Sequence, residues 1–185
     1  MQWPEQIRYR PVQELGTGAS GTAYEAEPVD GGFYVLVKVS HDSWAGEMMG
    51  HEYNAMLALE QSGCPVPKAI EITDIEDESG EYEATYLVRE LVPGESLSQV
   101  LKRKPEPAEA EAIFQQLRTA IECIHAAGWI HGDLGTGNII WDRDSQKLTL
   151  IDFEMADPMD GLDEEQIEGE DSQIDFLFET LDKYR

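Results

Sequence analysis

The stretch His131-Gly132-Asp133-Leu134-Gly135-Thr136-Gly137-Asn138-Ile139-Ile140-Trp141, followed by Leu148-Thr149-Leu150-Ile151-Asp152-Phe153, decides how the chain is read. It describes a loop, a short apolar strand, a polar turn and a second apolar strand, because β-branched and aromatic runs bounded by Gly, Asn and Asp favour extended segments joined by turns. Three groups suited to phosphate chemistry stand at its joints: Asp133 in the loop, Asn138 five residues later, and Asp152 at the end of the second strand. Taken singly, each also fits a cap or a solvated turn. Their order and spacing have to be weighed with the rest of the chain.

Immediately upstream, residues 107–127 carry Ile113, Phe114, Leu117, Ile121 and Ile124 at helical spacing. Pro107 suits the first turn of that helix, and Gly128 supplies its C-terminal stop. A shorter amphipathic helix is expected over 97–104. His125 falls near the end of the long helix, and His131 reads as a support for the loop rather than as a base.

Nearer the start, residues 7–15 read as a strand that runs into Gly16-Thr17-Gly18-Ala19-Ser20-Gly21. G-x-G-x-x-G alone is weak, and in a dinucleotide fold it opens a helix. Here a β-branched and aromatic run at 33–39 follows the turn Asp30-Gly31-Gly32, so the glycines lie in a strand-to-strand turn able to approach a phosphate closely. Lys38 sits inside that apolar run, where an unpaired ammonium is costly. The helix expected over 45–61, with Met49, Tyr53, Met56 and Leu57 on one stripe, offers Glu52 as the preferred counter-charge and Glu47 as second choice. Strands are expected at 69–73 and 84–90, joined by a polar acidic loop at 74–83. Arg89 stands in the second of these strands and requires a carboxylate that the sequence does not identify.

Composition sets limits. The 185 residues fit one domain, with 41% hydrophobic side chains. Asp and Glu number 38 against 13 Lys and Arg, for a formal net charge of −25. Such a surface repels nucleic-acid backbones and anionic membranes and favours basic partners or high salt. No apolar run is long enough to span a membrane, and the N-terminus shows no signal-peptide pattern, so a cytoplasmic location is expected, delivery into another cell as an effector remaining open. Cys64 and Cys123 lie far apart in sequence, Cys123 within an apolar helical pattern. Neither shows metal-site or disulfide spacing, which makes a reducing compartment the default.

From about residue 15 to residue 153 the chain resembles the protein-kinase-like superfamily. The Gly-rich loop, strand lysine, helix glutamate, a hinge at the turn Leu91-Val92-Pro93-Gly94-Glu95, the H-x-D-x-x-x-x-N loop and the Asp-Phe pair occur in that superfamily's order. The resemblance implies an α+β, two-lobed fold: an antiparallel-sheet N-lobe over 1–92 and a much reduced helical C-lobe over 93–185. It implies ATP and Mg²⁺ as cofactors. Gly16, Gly18, Ser20, Gly21, Lys38 and Glu52 would serve the nucleotide phosphates, and the backbones of Glu90 and Val92 the adenine edge. Asp133 would accept or orient the acceptor hydroxyl, and Asn138 and Asp152 would hold Mg²⁺.

The match departs from typical serine/threonine kinases. Gly132 and Gly135 stand where those carry Arg and Lys, Glu154 replaces the Gly of Asp-Phe-Gly, and no Ala-Pro-Glu follows. His-Gly-Asp-Leu is closer to atypical branches such as RIO kinases, the small kinase of the KEOPS complex, and aminoglycoside or choline phosphotransferases. The reduced C-lobe is similar to KEOPS and RIO kinases and to some bacterial effector kinases. An acidic irregular segment is expected over 155–170, then a short helix with Ile174, Leu177, Phe178 and Leu181 on its buried face. The expected activity is phosphorylation of protein Ser or Thr, a basic substrate being one of the partners that the charge allows. The alternatives are a small-molecule kinase and a nucleotide-binding pseudokinase that docks a partner.

Overall fold

The computed structural model describes residues 3–185. The chain forms two compact units, one made of residues up to Asn54 with Lys68–Leu91, the other of Ala55–Pro67 with Val92–Arg185. Residues 55–67 thus group with the second unit, whereas the sequence reading assigns all of 1–92 to the first.

In the first unit, strands β1 (Tyr9–Thr17), β2 (Gly21–Pro28) and β3 (Val35–Ser40) precede helix α1 (Ser43–Gln61), whose residues from Ala55 onward group with the second unit, and β4 (Ala69–Glu76) and β5 (Tyr82–Glu90) follow it. The five strands form one antiparallel sheet in the order β1-β2-β3-β5-β4. Alternation along the strands sorts its two faces. Val35, Val37, Tyr86 and Val88 join Tyr24, Ala26 and Ile75 in a core cluster that Trp3 and Ile7 complete. Trp3 meets the rings of Tyr24 and Tyr86 edge-on at 5.6 Å each. Leu36, Lys38, Leu87 and Arg89 alternate with these residues and so point to the opposite face; Lys38 pairs with Leu87 and Leu36 with Arg89 across β3 and β5.

The acidic loop between β4 and β5 is shorter than expected. Both strands extend into it, because Asp77 builds a tight turn: its Oδ1 accepts from Ser79 N–H at 2.8 Å, Ser79 Oγ at 2.6 Å and Glu81 N–H at 3.0 Å. Charged residues such as Glu76 and Glu83 remain solvent-facing members of a regular hairpin.

The second unit contains β6 (Glu95–Ser96), α2 (Leu97–Lys102), α3 (Pro107–Ala126), β7 (Trp129–Ile130), β8 (Ile139–Asp142), β9 (Lys147–Leu150), β10 (Asp157–Pro158) and α4 (Glu164–Asp182). Its small ladders are β6-β8-β9 and β7-β10. The predicted stripe of α3 is buried, together with Ile139, Trp141, Leu150 and Phe153.

Two expectations are corrected here. Helix α4 starts at Glu164, well inside the segment expected to be irregular. A capping box explains this: Asp163 accepts from Gln166 N–H at 2.9 Å while Gln166 Oε1 accepts from Asp163 N–H at 3.2 Å, and Glu164 and Glu165 suit the positive end of the helix. The first turns are solvated, so no apolar stripe announces them. The two cysteines, whose spacing suggests no disulfide, are bonded to each other, with Cα atoms 5.5 Å apart across a sequence separation of 59.

No helix among the described residues is long and apolar enough to cross a membrane. With a net charge of −25, self-repulsion opposes the compact state, and the Debye length shrinks from about 30 Å at 0.01 M salt to about 3 Å at 1 M. Melting temperature should therefore rise between those salt concentrations, by about 2–4 °C per kcal/mol of repulsion screened. Differential scanning fluorimetry in KCl is the check, and a flat or falling profile would contradict this view of the surface.

Candidate active site

In the first unit the lysine–glutamate contact expected from the sequence is present: Lys38 Nζ lies 2.6 Å from Glu52 Oε2. Glu52 is fully buried rather than at the edge of the α1 stripe, and Glu47 is exposed. The partner that Arg89 required is the same carboxylate, with its Nε 4.0 Å from Glu52 Oε1. Strand alternation brings both cations to one face, and one buried acid serves both. Removing the carboxylate takes a charged partner from two largely buried cations at once, and breaking a buried ion pair costs about 3–5 kcal/mol. Glu52→Ala should thus lower the melting temperature by about 10 °C. Lys38→Ala should cost less, because Glu52 keeps Arg89. Thermal melts of the two variants test the ranking.

Of the Gly-rich turn, Gly16 falls within β1, and the Gly18 N–H donates to the Gly21 carbonyl at 2.8 Å, closing the hairpin. Gly21 has a steric reason to be glycine, since a Cβ there would overlap the Val39 carbonyl and the end of Met49. Ser20 is buried in the turn. At the end of β5, the Glu90 N–H donates to Lys68 O at 2.9 Å and its carbonyl accepts from Arg89 Nη1 at 3.1 Å. Val92 follows, half-buried, outside any strand.

In the second unit, Asn138 Nδ2 donates to both the carbonyl and Oδ2 of Asp133, at 2.9 Å each. This holds an exposed carboxylate in one orientation and turns the Asn138 side-chain oxygen away from it. The Ile151 N–H donates to Asn138 O at 2.9 Å, extending the β8-β9 pairing, so Asp152 follows directly, in left-handed backbone geometry at φ 70°.

His131 is fully buried against Phe153, with ring centroids 4.6 Å apart. Its Nδ1 accepts from Asp133 N–H at 3.3 Å, so the proton sits on Nε2, which donates to Ile151 O at 3.1 Å. Burial pushes its pKa below the usual value, outweighing the opposing pull of Glu170, the Ile151 carbonyl, Asp133 and Asp152. His131 therefore ties the loop to the segment before Asp152 as a neutral ring.

Glu170 on α4 was not anticipated. Its Oε1 accepts from His131 N–H at 3.1 Å and lies 3.4 Å from His125 Nε2, while Oε2 accepts from Gly132 N–H at 3.0 Å. Burial pushes the Glu170 carboxyl up, but the His125 contact and the two backbone donors together hold it below the ordinary carboxylate range. One turn on, Gln173 Oε1 accepts from Leu134 N–H at 2.6 Å. Glu170 could have been found from its spacing with Ile174, Leu177 and Leu181, a carboxylate on an otherwise apolar stripe. Gly132 also acquires a reason: at φ 77° a Cβ would overlap the Met155 carbonyl, which excludes the arginine of typical kinases. Nothing crowds Gly135, so the missing lysine is not a steric matter.

The family pattern described as protein kinase domain matches residues 9–170. The chain is 35% identical over 153 residues to serine/threonine-protein kinase pkn2 of Myxococcus xanthus, covering 80% of this chain and 18% of that protein. It is 31% identical over 157 residues to serine/threonine-protein kinase PknA of Mycobacterium tuberculosis, covering 83% of this chain and 36% of the relative. Similarity to the human hormonally up-regulated neu tumor-associated kinase is 36% over 92 residues, 49% of this chain and 12% of that one. The chain thus spans only about a fifth to a third of the two bacterial relatives. Within that span the matched residues run from β1 to the glutamate that anchors the Asp133 loop, and the chain belongs to the protein kinase family.

Proposed function

We propose that the chain is a minimal ATP- and Mg²⁺-dependent phosphotransferase acting on Ser or Thr hydroxyls of protein substrates. The observation that carries this reading is the double hydrogen bond from Asn138 to Asp133. It aims a solvent-accessible carboxylate and leaves the carboxamide oxygen, with the Asp152 carboxylate, as the hard oxygen donors that Mg²⁺ prefers. When bound, ATP would supply the phosphoryl group and Mg²⁺ would neutralise charge on it. Asn138 and Asp152 would hold the metal, and Lys38, steadied by Glu52, would bind phosphate oxygens. Asp133 would orient the acceptor hydroxyl and take its proton as the oxygen bonds to phosphorus.

The names of the bacterial relatives support Ser or Thr as acceptor, and the net charge of −25 supports a basic substrate. The test is transfer from labelled ATP to a basic protein panel that includes histones and protamine, with and without Mg²⁺, followed by phosphoamino-acid analysis. Mg²⁺-dependent phosphoserine or phosphothreonine is expected. Nucleotide binding without transfer to any protein would favour the docking role, and transfer confined to small alcohols the small-molecule kinase.

A further inference from the structure

The chain has two cysteines, and both are in the Cys64–Cys123 disulfide. Its position is unusual in what it joins. Cys64 lies in the turn that ends α1, where its N–H donates to Leu59 O at 3.0 Å. Cys123 lies in the last turn of α3, eight residues before His131. The next residue after Cys64 makes a second attachment: Pro65 O accepts from Leu150 N–H at 2.9 Å, two residues before Asp152. One short turn is therefore fastened covalently to the helix that leads into the Asp133 loop, and by a hydrogen bond to the strand that leads into Asp152. All four residues lie in the second unit.

We propose that Cys64–Cys123 is a redox-controlled staple: oxidised, it holds the 62–67 turn in place and supports the Asp152 strand; reduced, it releases both and lowers activity. The reductant is a protein or small-molecule dithiol. Cys123 is partly exposed and Cys64 buried, so a thiolate of the dithiol attacks the Cys123 sulfur and Cys64 leaves as thiolate and takes up a proton. The second thiol of the reductant then displaces Cys123 from the mixed disulfide. Two electrons and two protons pass to the protein, giving two thiols, and the reductant ends as its own disulfide. The inference rests on the phosphotransferase reading only for the activity that the staple controls.

The test uses the full chain, oxidised or treated with dithiothreitol. Alkylation read by mass spectrometry should find two reactive thiols only after reduction. Reduction should lower the melting temperature by about 10 °C, as expected for a cross-link closing a long loop in a domain of this size. Amide exchange at Leu150 and across residues 147–153 should quicken by about tenfold or more, transfer should fall about tenfold, and reoxidation should restore both. The Cys64→Ala, Cys123→Ala double variant should behave as the reduced protein and ignore dithiothreitol. Two thiols alkylated without reductant would overturn the proposal, as would a bond that no dithiol reduces in the folded protein. A lower melting temperature with unchanged exchange at Leu150 would mark a purely structural bond and overturn it too. Faster exchange with unchanged transfer in an active enzyme would remove the control of activity and reject the switch. Absence of transfer in both states counts against the phosphotransferase reading, and the staple is then judged on the exchange at Leu150.

Discussion

On the proposed roles, Asp133→Asn is expected to keep the Mg²⁺ and ATP affinity of the unmodified chain while losing about 10²- to 10⁴-fold in transfer, the usual contribution of a positioned acid–base group. The reason lies in what each carboxylate is assigned to. Asp133 is aimed by Asn138 and exposed to an incoming hydroxyl, and it is given no part in holding nucleotide. Asp152 is assigned to the metal, so Asp152→Asn should lose Mg²⁺-dependent nucleotide affinity together with turnover. Asparagine at 133 can still meet Asn138 through its own side-chain oxygen, so the loop geometry survives and the loss reports chemistry. Nucleotide titration with and without Mg²⁺, run beside a transfer assay, separates the two. Equal loss of binding in both variants would make Asp133 a metal ligand or a structural prop.

What the sequence could disclose followed from local need. A lysine inside an apolar strand demands a carboxylate, and the next helix offers few, so the pairing of Lys38 with Glu52 is legible in the sequence alone. Arg89 could not be given its partner in the same way. Its proximity to Glu52 depends on strand alternation and on the β3-β5 register, which sets Leu36 opposite Arg89. Nothing near Arg89 in sequence specifies that register. The disulfide is illegible for a similar reason: two cysteines 59 residues apart carry no spacing signal, and only the exit of the chain from α1 brings Cys64 to α3.

The Asp133 loop shows the same division. Asp133, Asn138 and Asp152 are recognisable because five residues of loop and two short strands fix their order. The residue that anchors the loop comes 37 positions after Asp133, on a helix whose first turns are acidic and solvated. Among 38 acidic residues, a buried glutamate is invisible to composition; its place on the apolar stripe of α4 marks it as buried, and the two backbone N–H groups it receives give it its role.

That anchor leads to the second large effect. Glu170→Ala should destabilise the chain and slow it more than its distance from the chemistry suggests. The variant leaves the His131 N–H buried without an acceptor, at about 1–3 kcal/mol, and the half-buried Gly132 N–H dependent on water. A melting temperature lower by about 5–10 °C follows. Because those two N–H groups immediately precede Asp133, the carboxylate should drift from its aimed position, and misplacement of about 1 Å can cost about 10²-fold in rate. Glu170→Gln keeps one acceptor oxygen and should recover part of both losses, which simple unfolding would not reproduce when rates are taken well below either melting temperature. The pH dependence supplies an independent readout. The Glu170 carboxyl is depressed in the folded chain, so its stabilisation is complete above the unfolded carboxyl pKa of about 4.3 and disappears as pH falls through the lower folded value. The stability difference between the unmodified chain and Glu170→Gln should therefore be constant near neutrality and shrink below about pH 4.3. A difference independent of pH down to acid unfolding, with transfer unaffected by Glu170→Ala, would mean that α4 packs against the Asp133 loop without positioning it.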